Sequence, residues 1–209
     1  FPTWDIVRYT ITYDCEGCDV SNEQKFPTTY TIDTSFSIPK PASIPSGYKF
    51  GGWYKNAEFT GKTNNNVAKG TYGDFTFYGK LNKIYNITYV GTDKPNSAKT
   101  YTVDDAITLG TPASRDGYTF GGWYTNAEFE DDAVTSIAKG STGDTTFYAK
   151  WIPETYNITY NIDGEAADLT PNTYTAEAVV ALPEPTKDGY EFDGWYGNAE
   201  YTGEKVISI

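Results

Sequence analysis

Histidine and methionine are absent from the 209 residues, cysteine occurs only at Cys15 and Cys18, and the only arginines are Arg8 and Arg115. Each scarcity closes off a class of chemistry. Without histidine there is no Ser-His-Asp or Cys-His mechanism and no imidazole metal ligand. Two cysteines fall short of the four ligands of a structural zinc site. A net charge of −12 repels phosphate backbones and anionic lipid, so nucleic acid is not expected as a partner. No apolar run approaches a membrane span or a signal-peptide core, so direct membrane insertion is not expected. The first residue is Phe1 rather than Met, which reads as an excised piece whose export signal or wall anchor lies elsewhere.

Aromatic residues are plentiful, with 19 Tyr, 11 Phe and 5 Trp to fill a core. They recur in register. Gly-Tyr-x-Phe-x-Gly-Trp-Tyr stands at Gly47–Tyr54, Gly117–Tyr124 and Gly189–Tyr196. Asn56-Ala57-Glu58-Phe59 returns as Asn126–Phe129 and Asn198–Tyr201, and Lys69–Lys80 returns as Lys139–Lys150. A block Tyr-x-Ile-Thr-Tyr opens each copy at Tyr9, Tyr85 and Tyr156. Repetition at this period indicates an array of modules. The expected organisation is a lead-in at 1–8, a first module at 9–81, a linker plus second module at 82–151, and a linker plus truncated third module at 152–209. The third copy stops at the counterpart of Ile137, so its last strand is expected to be missing. Short linkers, one holding Pro153, predict an elongated, semi-rigid array.

Strict alternation over Tyr156–Ile162 and over Tyr9–Tyr13 predicts a half-buried first strand. A second strand is expected at 29–38, 100–109 and 173–182, and a third through each glycine-tryptophan motif. Gly47, Gly117 and Gly189 supply positive φ at the entry to the third strand. The glycine before each tryptophan marks a close approach or a bulge that turns Trp53, Trp123 or Trp195 toward the core. A short helical turn fits around Val134–Ala138. The fold class is therefore mainly β, with room for α+β. The tryptophans, with Tyr54, Tyr124 and Tyr196 beside them, read as structural anchors; the competing reading is a ladder of sugar-stacking platforms.

Candidate chemistry is sparse. Cys15-Glu16-Gly17-Cys18 has redox spacing but lies in an acidic loop of a β module, leaving a local disulfide or two idle thiols. Glu130-Asp131-Asp132 and Asp104-Asp105 offer oxygens for Ca²⁺ but lack the alternating spacing and turn glycine of a calcium loop, and read as solvated surface. Glu58, Glu128 and Glu200 would be the carboxylates of a sugar-cleaving site, yet each lies in a turn, where a capping role explains it more simply. No catalytic residue, metal or cofactor is expected.

Tyr156–Tyr160, Gly189–Tyr196, Asn198–Glu200 and the Lys139–Trp151 block together resemble the internalin-B-type B repeat, or Listeria/Bacteroides repeat, of bacterial cell-surface proteins. The resemblance covers nearly the whole chain. It implies small β-grasp-like modules, an extracellular or cell-surface location, and, with export, a Cys15–Cys18 bridge. The departures are the two-cysteine loop, Leu81 in place of the terminal Trp151, and the short third copy. The function expected is a non-catalytic stalk with weak adhesive contacts to a host or envelope glycan or protein. The partner loops expected are 14–28, 90–99 and 163–172. The alternative is a set of carbohydrate-binding accessory modules of a larger secreted enzyme.

Overall fold

Along Arg8–Asp14 (β1), Tyr9, Ile11 and Tyr13 point inward and their neighbours outward, as the alternating sequence requires. The structure, a computed structural model, describes all residues from Phe1 to Ile209. No residue lies in a helix. By backbone proximity the chain forms two units: Phe1–Thr88 with Ala98–Thr108 and Ser136–Thr146, and Tyr89–Ser97 with Leu109–Thr135 and Phe147–Ile209.

In the first unit, β1 pairs antiparallel with β2 (Thr29–Thr31) and parallel with a long strand at Phe75–Lys83. The stretch expected as one strand over 29–38 breaks in two, with β3 at Phe36–Ser37 pairing to β5 at Asn66–Val67. A side chain causes the break. Thr34 Oγ1 accepts the Thr31 amide at 3.0 Å while the Thr34 amide donates to the Thr31 carbonyl, closing a tight turn where the ladder would have continued. The glycine-tryptophan motif forms β4 (Tyr48–Tyr54), antiparallel to the long strand β6 (Phe75–Lys83), giving the order β2-β1-β6-β4. Also in this unit, the start of β7 (Tyr85–Val90) pairs with β8 (Thr100–Tyr101), and β9 (Ile107–Thr108) pairs with β11 (Ser136–Ile137). Asp105 divides β8 from β9 by accepting both the amide and the hydroxyl of Thr102.

The helical turn expected at Val134–Ala138 is not formed; that stretch contributes strand β11 instead. The Val134 amide donates to the Trp123 carbonyl at 2.7 Å, and Thr135 accepts the Leu109 amide at 2.8 Å. Backbone partners on both sides draw the segment out.

The core of the first unit gathers Ile11, Phe26, Tyr30, Ile38, Trp53, Val67 and Phe77. Phe26 comes from the loop 14–28, expected above only as a contact surface, so part of that loop is structural. Burial pushes the Tyr13 phenol up to about 12. The β4–β6 register slips between Phe50 and Gly52, with Gly52 at φ 115°, a bulge that aims Trp53 inward. In the second unit the same slip falls between Phe120 and Gly122, φ 118°, where β10 (Tyr118–Tyr124) pairs with β12 (Thr145–Pro153). Trp53 and Trp123 are each only 2% exposed.

The strand expected over 156–162 divides into β13 (Thr155–Asn157), paired with β16 (Thr173–Thr175), and β14 (Tyr160–Ile162), paired with β15 (Glu165–Ala167). The third glycine-tryptophan motif makes no strand. It holds only the isolated bridges Lys187↔Tyr190 and Trp195↔Val206, because no strand corresponding to β6 or β12 lies against it, and Trp195 is half-buried.

One size exchange distinguishes the copies. A Cβ on Gly79 would lie 2.5 Å from Cys15 Sγ and 3.0 Å from the Trp53 ring, so the first copy pairs a larger Cys15 with a glycine. The second copy reverses the choice, with Gly91 in the place of Cys15 and Ala149 in the place of Gly79, where a Cβ on Gly91 would meet the Ala149 Cβ at 3.4 Å. Gly79→Ala is expected to destabilise by about 1–3 kcal/mol, since overpacking forces Cys15 aside. Urea unfolding followed by tryptophan fluorescence measures it, and an unchanged midpoint would contradict the packing account. Amides of Tyr190–Tyr196 should exchange with deuterium faster than those of Tyr48–Tyr54 and Tyr118–Tyr124; equal protection would show that the third motif is held as firmly as the others.

Candidate functional site

Each indole in the repeated motif has a fixed acceptor. Trp53 Nε1 donates to the Pro39 carbonyl at 2.8 Å, Trp123 Nε1 to the Gly110 carbonyl at 2.8 Å, and Trp195 Nε1 to the Pro183 carbonyl at 2.7 Å. Phe50, Phe120 and Phe192 meet these rings edge-on at 5.2, 5.3 and 5.4 Å. Buried, bonded and ring-packed, Trp53 and Trp123 present no face to a sugar. Tyr54, Tyr124 and Tyr196, next in sequence, are half-buried and carry the outer surface of the motif.

Gly47, Gly117 and Gly189 all take positive φ, at 80°, 77° and 81°. The first two also fix the chain between copies: the Gly47 carbonyl accepts the Ile84 amide and the Gly117 carbonyl accepts the Glu154 amide, both at 2.8 Å. The stretches expected as linkers are therefore ladder residues. β6 runs through Asn82 to Lys83 opposite Tyr48, and β12 runs through Ile152 to Pro153 opposite Tyr118.

Polar side chains close each junction. In the first unit Lys80 Nζ donates to both carboxylate oxygens of Asp104, at 2.8 and 2.7 Å, and the buried Asn82 amide donates to the same carboxylate. Lys49 pairs with Asp105 at 3.6 Å. In the second unit the corresponding place holds different chemistry: Tyr118 donates its hydroxyl to Glu177, and Glu154 accepts from Thr119 and Tyr156. Gly117 fits closely against Ala176, where a Cβ would come within 2.9 Å. Asp104 and Asp105, read in the sequence as solvated acids, are thus junction residues. The available signal was the joint change from Asn82 and Asp104 in the first junction to Ile152 and Glu177 at the equivalent places of the second.

The remaining candidates stand apart. Cys15 and Cys18 are joined in a disulfide. Glu58, Glu128 and Glu200 are exposed. Asp131 is engaged by Asn126, and no three acidic or cysteine side chains converge as a metal site would require. An open cleft of about 1080 Å³ is lined by residues from Thr159–Gly164 and Pro185–Tyr201. Its Asp163 pairs with Lys187 and its Asp193 with Lys205, both exposed pairs. Hydrogen bonds from Lys205 and Tyr196 hold the Asp193 carboxyl below the usual carboxylate range, opposite to the raised carboxyl that a general acid needs.

Hydrogen bonding from Lys80, aided by Asn82, outweighs partial burial and holds the Asp104 carboxyl below its ordinary range; Thr102 does the same for Asp105. A carboxyl lowered in the folded state contributes stability above its unfolded pKa, about 4, and loses it as pH falls through the lower folded value. The first junction should therefore be closed at neutral pH and loosen in acid below about pH 4. Exchange protection at Asn82 and Thr102–Asp105, corrected for intrinsic rates, is expected to fall on acidification in the native chain. Asp104→Asn should begin less protected and respond less; an identical acid response in the variant would remove Asp104 from this role.

Against this geometry, the Listeria-Bacteroides repeat domain matches the chain at residues 9–80, 85–150 and 156–208. A protein named as a Gly-rich membrane protein of Evansella cellulosilytica is 26% identical over 94% of the chain and 22% of its own length. Internalin H of Listeria monocytogenes is 34% identical over 56% of the chain and 21% of its own length. Another Evansella protein, named as a membrane protein, is 23% identical over 97% of the chain and 30% of its own length. The chain thus spans less than a third of each of these relatives. No solved structure matches it significantly. With three matches that together take in nearly every residue, the chain belongs to the Listeria-Bacteroides repeat domain family.

Proposed function

We propose that this chain is a non-catalytic tandem-repeat segment of a bacterial surface or secreted protein, built from three small β-grasp-like modules and acting as a semi-rigid stalk. The observation that carries the reading is the absence of free linker: residues 82–84 and 152–154 are held by ladder pairing and by the Gly47 and Gly117 carbonyls. A chain fixed in this way transmits orientation from one copy to the next, which is what a spacer needs and an enzyme does not. The sheet order β2-β1-β6-β4, with a parallel central pair, supports the β-grasp-like assignment without a helix. Surface location draws on relatives named as an internalin and as membrane proteins. Adhesive contact by the stalk falls to the loop 90–99 and to 163–172, which holds strand β15 and the loop after it, with a glycan or protein as partner; the buried Trp53 and Trp123 speak against a tryptophan sugar ladder.

Small-angle scattering tests the proposal. Three modules in line should reach a maximum dimension of about 90 Å, against about 45 Å for 209 residues packed as one globule. A value near the lower figure would overturn it.

A further inference from the structure

Phe59, Phe129 and Tyr201 hold φ at 54°, 57° and 52°, a left-handed conformation that bulky residues seldom adopt. An asparagine at the start of each turn sustains it. Asn56 Oδ1 accepts the Thr60 amide at 3.0 Å and its Nδ2 donates to the Thr60 carbonyl; Asn198 makes the same two bonds to Thr202. Asn126 Oδ1 accepts the Glu130 amide at 3.4 Å. The turn brings each ring edge-on to the tyrosine of the preceding motif. Tyr54–Phe59, Tyr124–Phe129 and Tyr196–Tyr201 stand 5.7, 5.3 and 6.0 Å apart at interplanar angles of 76°, 81° and 83°. Aromatic faces carry partial negative charge, so such a pair attracts a cation.

One pair already holds a cation. The Lys150 ammonium lies 5.1 Å from the Tyr124 ring centre and 5.6 Å from that of Phe129. In the first copy Lys80 occupies the equivalent ladder position, opposite Gly52 as Lys150 is opposite Gly122, but its ammonium is bound to Asp104 instead. The nearby Lys55 lies over Phe75, leaving no cation over Tyr54 or Phe59. Phe59 is 37% exposed. A net charge of −12 favours a cationic ligand.

We propose that Tyr54/Phe59 binds an alkylammonium group, and that Tyr124/Phe129 is the same site closed from within by Lys150. The junction keeps the first site open by retaining Lys80 on Asp104. A single contact of this kind is weak.

Aromatic NMR resonances of the full chain, titrated with choline chloride at constant ionic strength, test the proposal. Rings of Tyr54 and Phe59 should shift along saturable curves, while Tyr124 and Phe129 respond several-fold less. The uncharged choline isostere 3,3-dimethylbutan-1-ol should leave all four nearly unmoved. Nα-acetyl-lysine methylamide is the second probe: a stronger response to it points to lysine side chains, and a stronger response to choline to quaternary amines, either supporting an ammonium site. Lys150→Ala, at a half-buried ladder position of β12, should bring Tyr124/Phe129 up to the response of Tyr54/Phe59. Asp104→Ala should release Lys80 and cut the response at Tyr54/Phe59 several-fold. Equal shifts with the isostere, no shift with either cation, or a Lys150→Ala variant with Tyr124/Phe129 still silent would overturn the site. An unchanged Tyr54/Phe59 response in Asp104→Ala would overturn the role of Lys80.

Discussion

The indole N–H of the motif tryptophan is the constraint around which each copy is organised. A ring of that size supplies much of the core energy of a small β unit, but its one donor cannot be left unpaired in an apolar interior. The backbone carbonyl of Pro39, Gly110 or Pro183 meets it, which fixes where the end of the second strand region lies relative to the motif. The glycine before the tryptophan then has to bulge the strand so that the ring reaches that carbonyl and not solvent. The flanking phenylalanine and a tyrosine of the opening block complete the ring cluster: Tyr13, Tyr89 and Tyr160 lie 5.6, 5.0 and 5.0 Å from the three indoles. Aromatic packing thus follows from satisfying one polar atom.

The third copy shows how much of that arrangement is local and how much is lent by the sheet. Trp195 keeps its carbonyl acceptor and both of its aromatic neighbours. It is nevertheless only half-buried, and its motif is not strand. Local hydrogen bonding and ring contacts position the indole; exclusion of water from it depends on a long partner strand such as β6 or β12. The two contributions are separable, and only the second requires residues distant in sequence.

Much of the strand pattern was legible because period-two alternation and aromatic content are local signals. The positions of β1, β4 and β10, the mainly β class and the bulge glycines follow from residues adjacent in the chain. Three things were not legible, each for a long-range or side-chain reason. The second strand regions break because Thr34 and Asp105 capture backbone amides at Thr31 and Thr102, a competition invisible to hydropathy. Val134–Ala138 extends because Trp123 and Leu109, remote in sequence, take its backbone. The junction acids looked like ordinary solvated surface because the partner of Asp104, Lys80, lies in a different copy; repetition hides contacts between copies by making every copy look self-sufficient.

Near-identical neighbours on one polypeptide face a hazard during folding, since a strand can add to the wrong sheet with almost the right pattern. The exchange of Cys15 and Gly79 for Gly91 and Ala149 acts against that error. A β12 strand entering the first sheet would bring the Ala149 methyl onto the sulfur of Cys15, and a β6 strand entering the second would leave a void where Gly79 meets Gly91. Either mismatch disfavours the misassembled chain, so the exchange of a large and a small side chain between two facing positions serves as an address label that tells each copy which strand is its own.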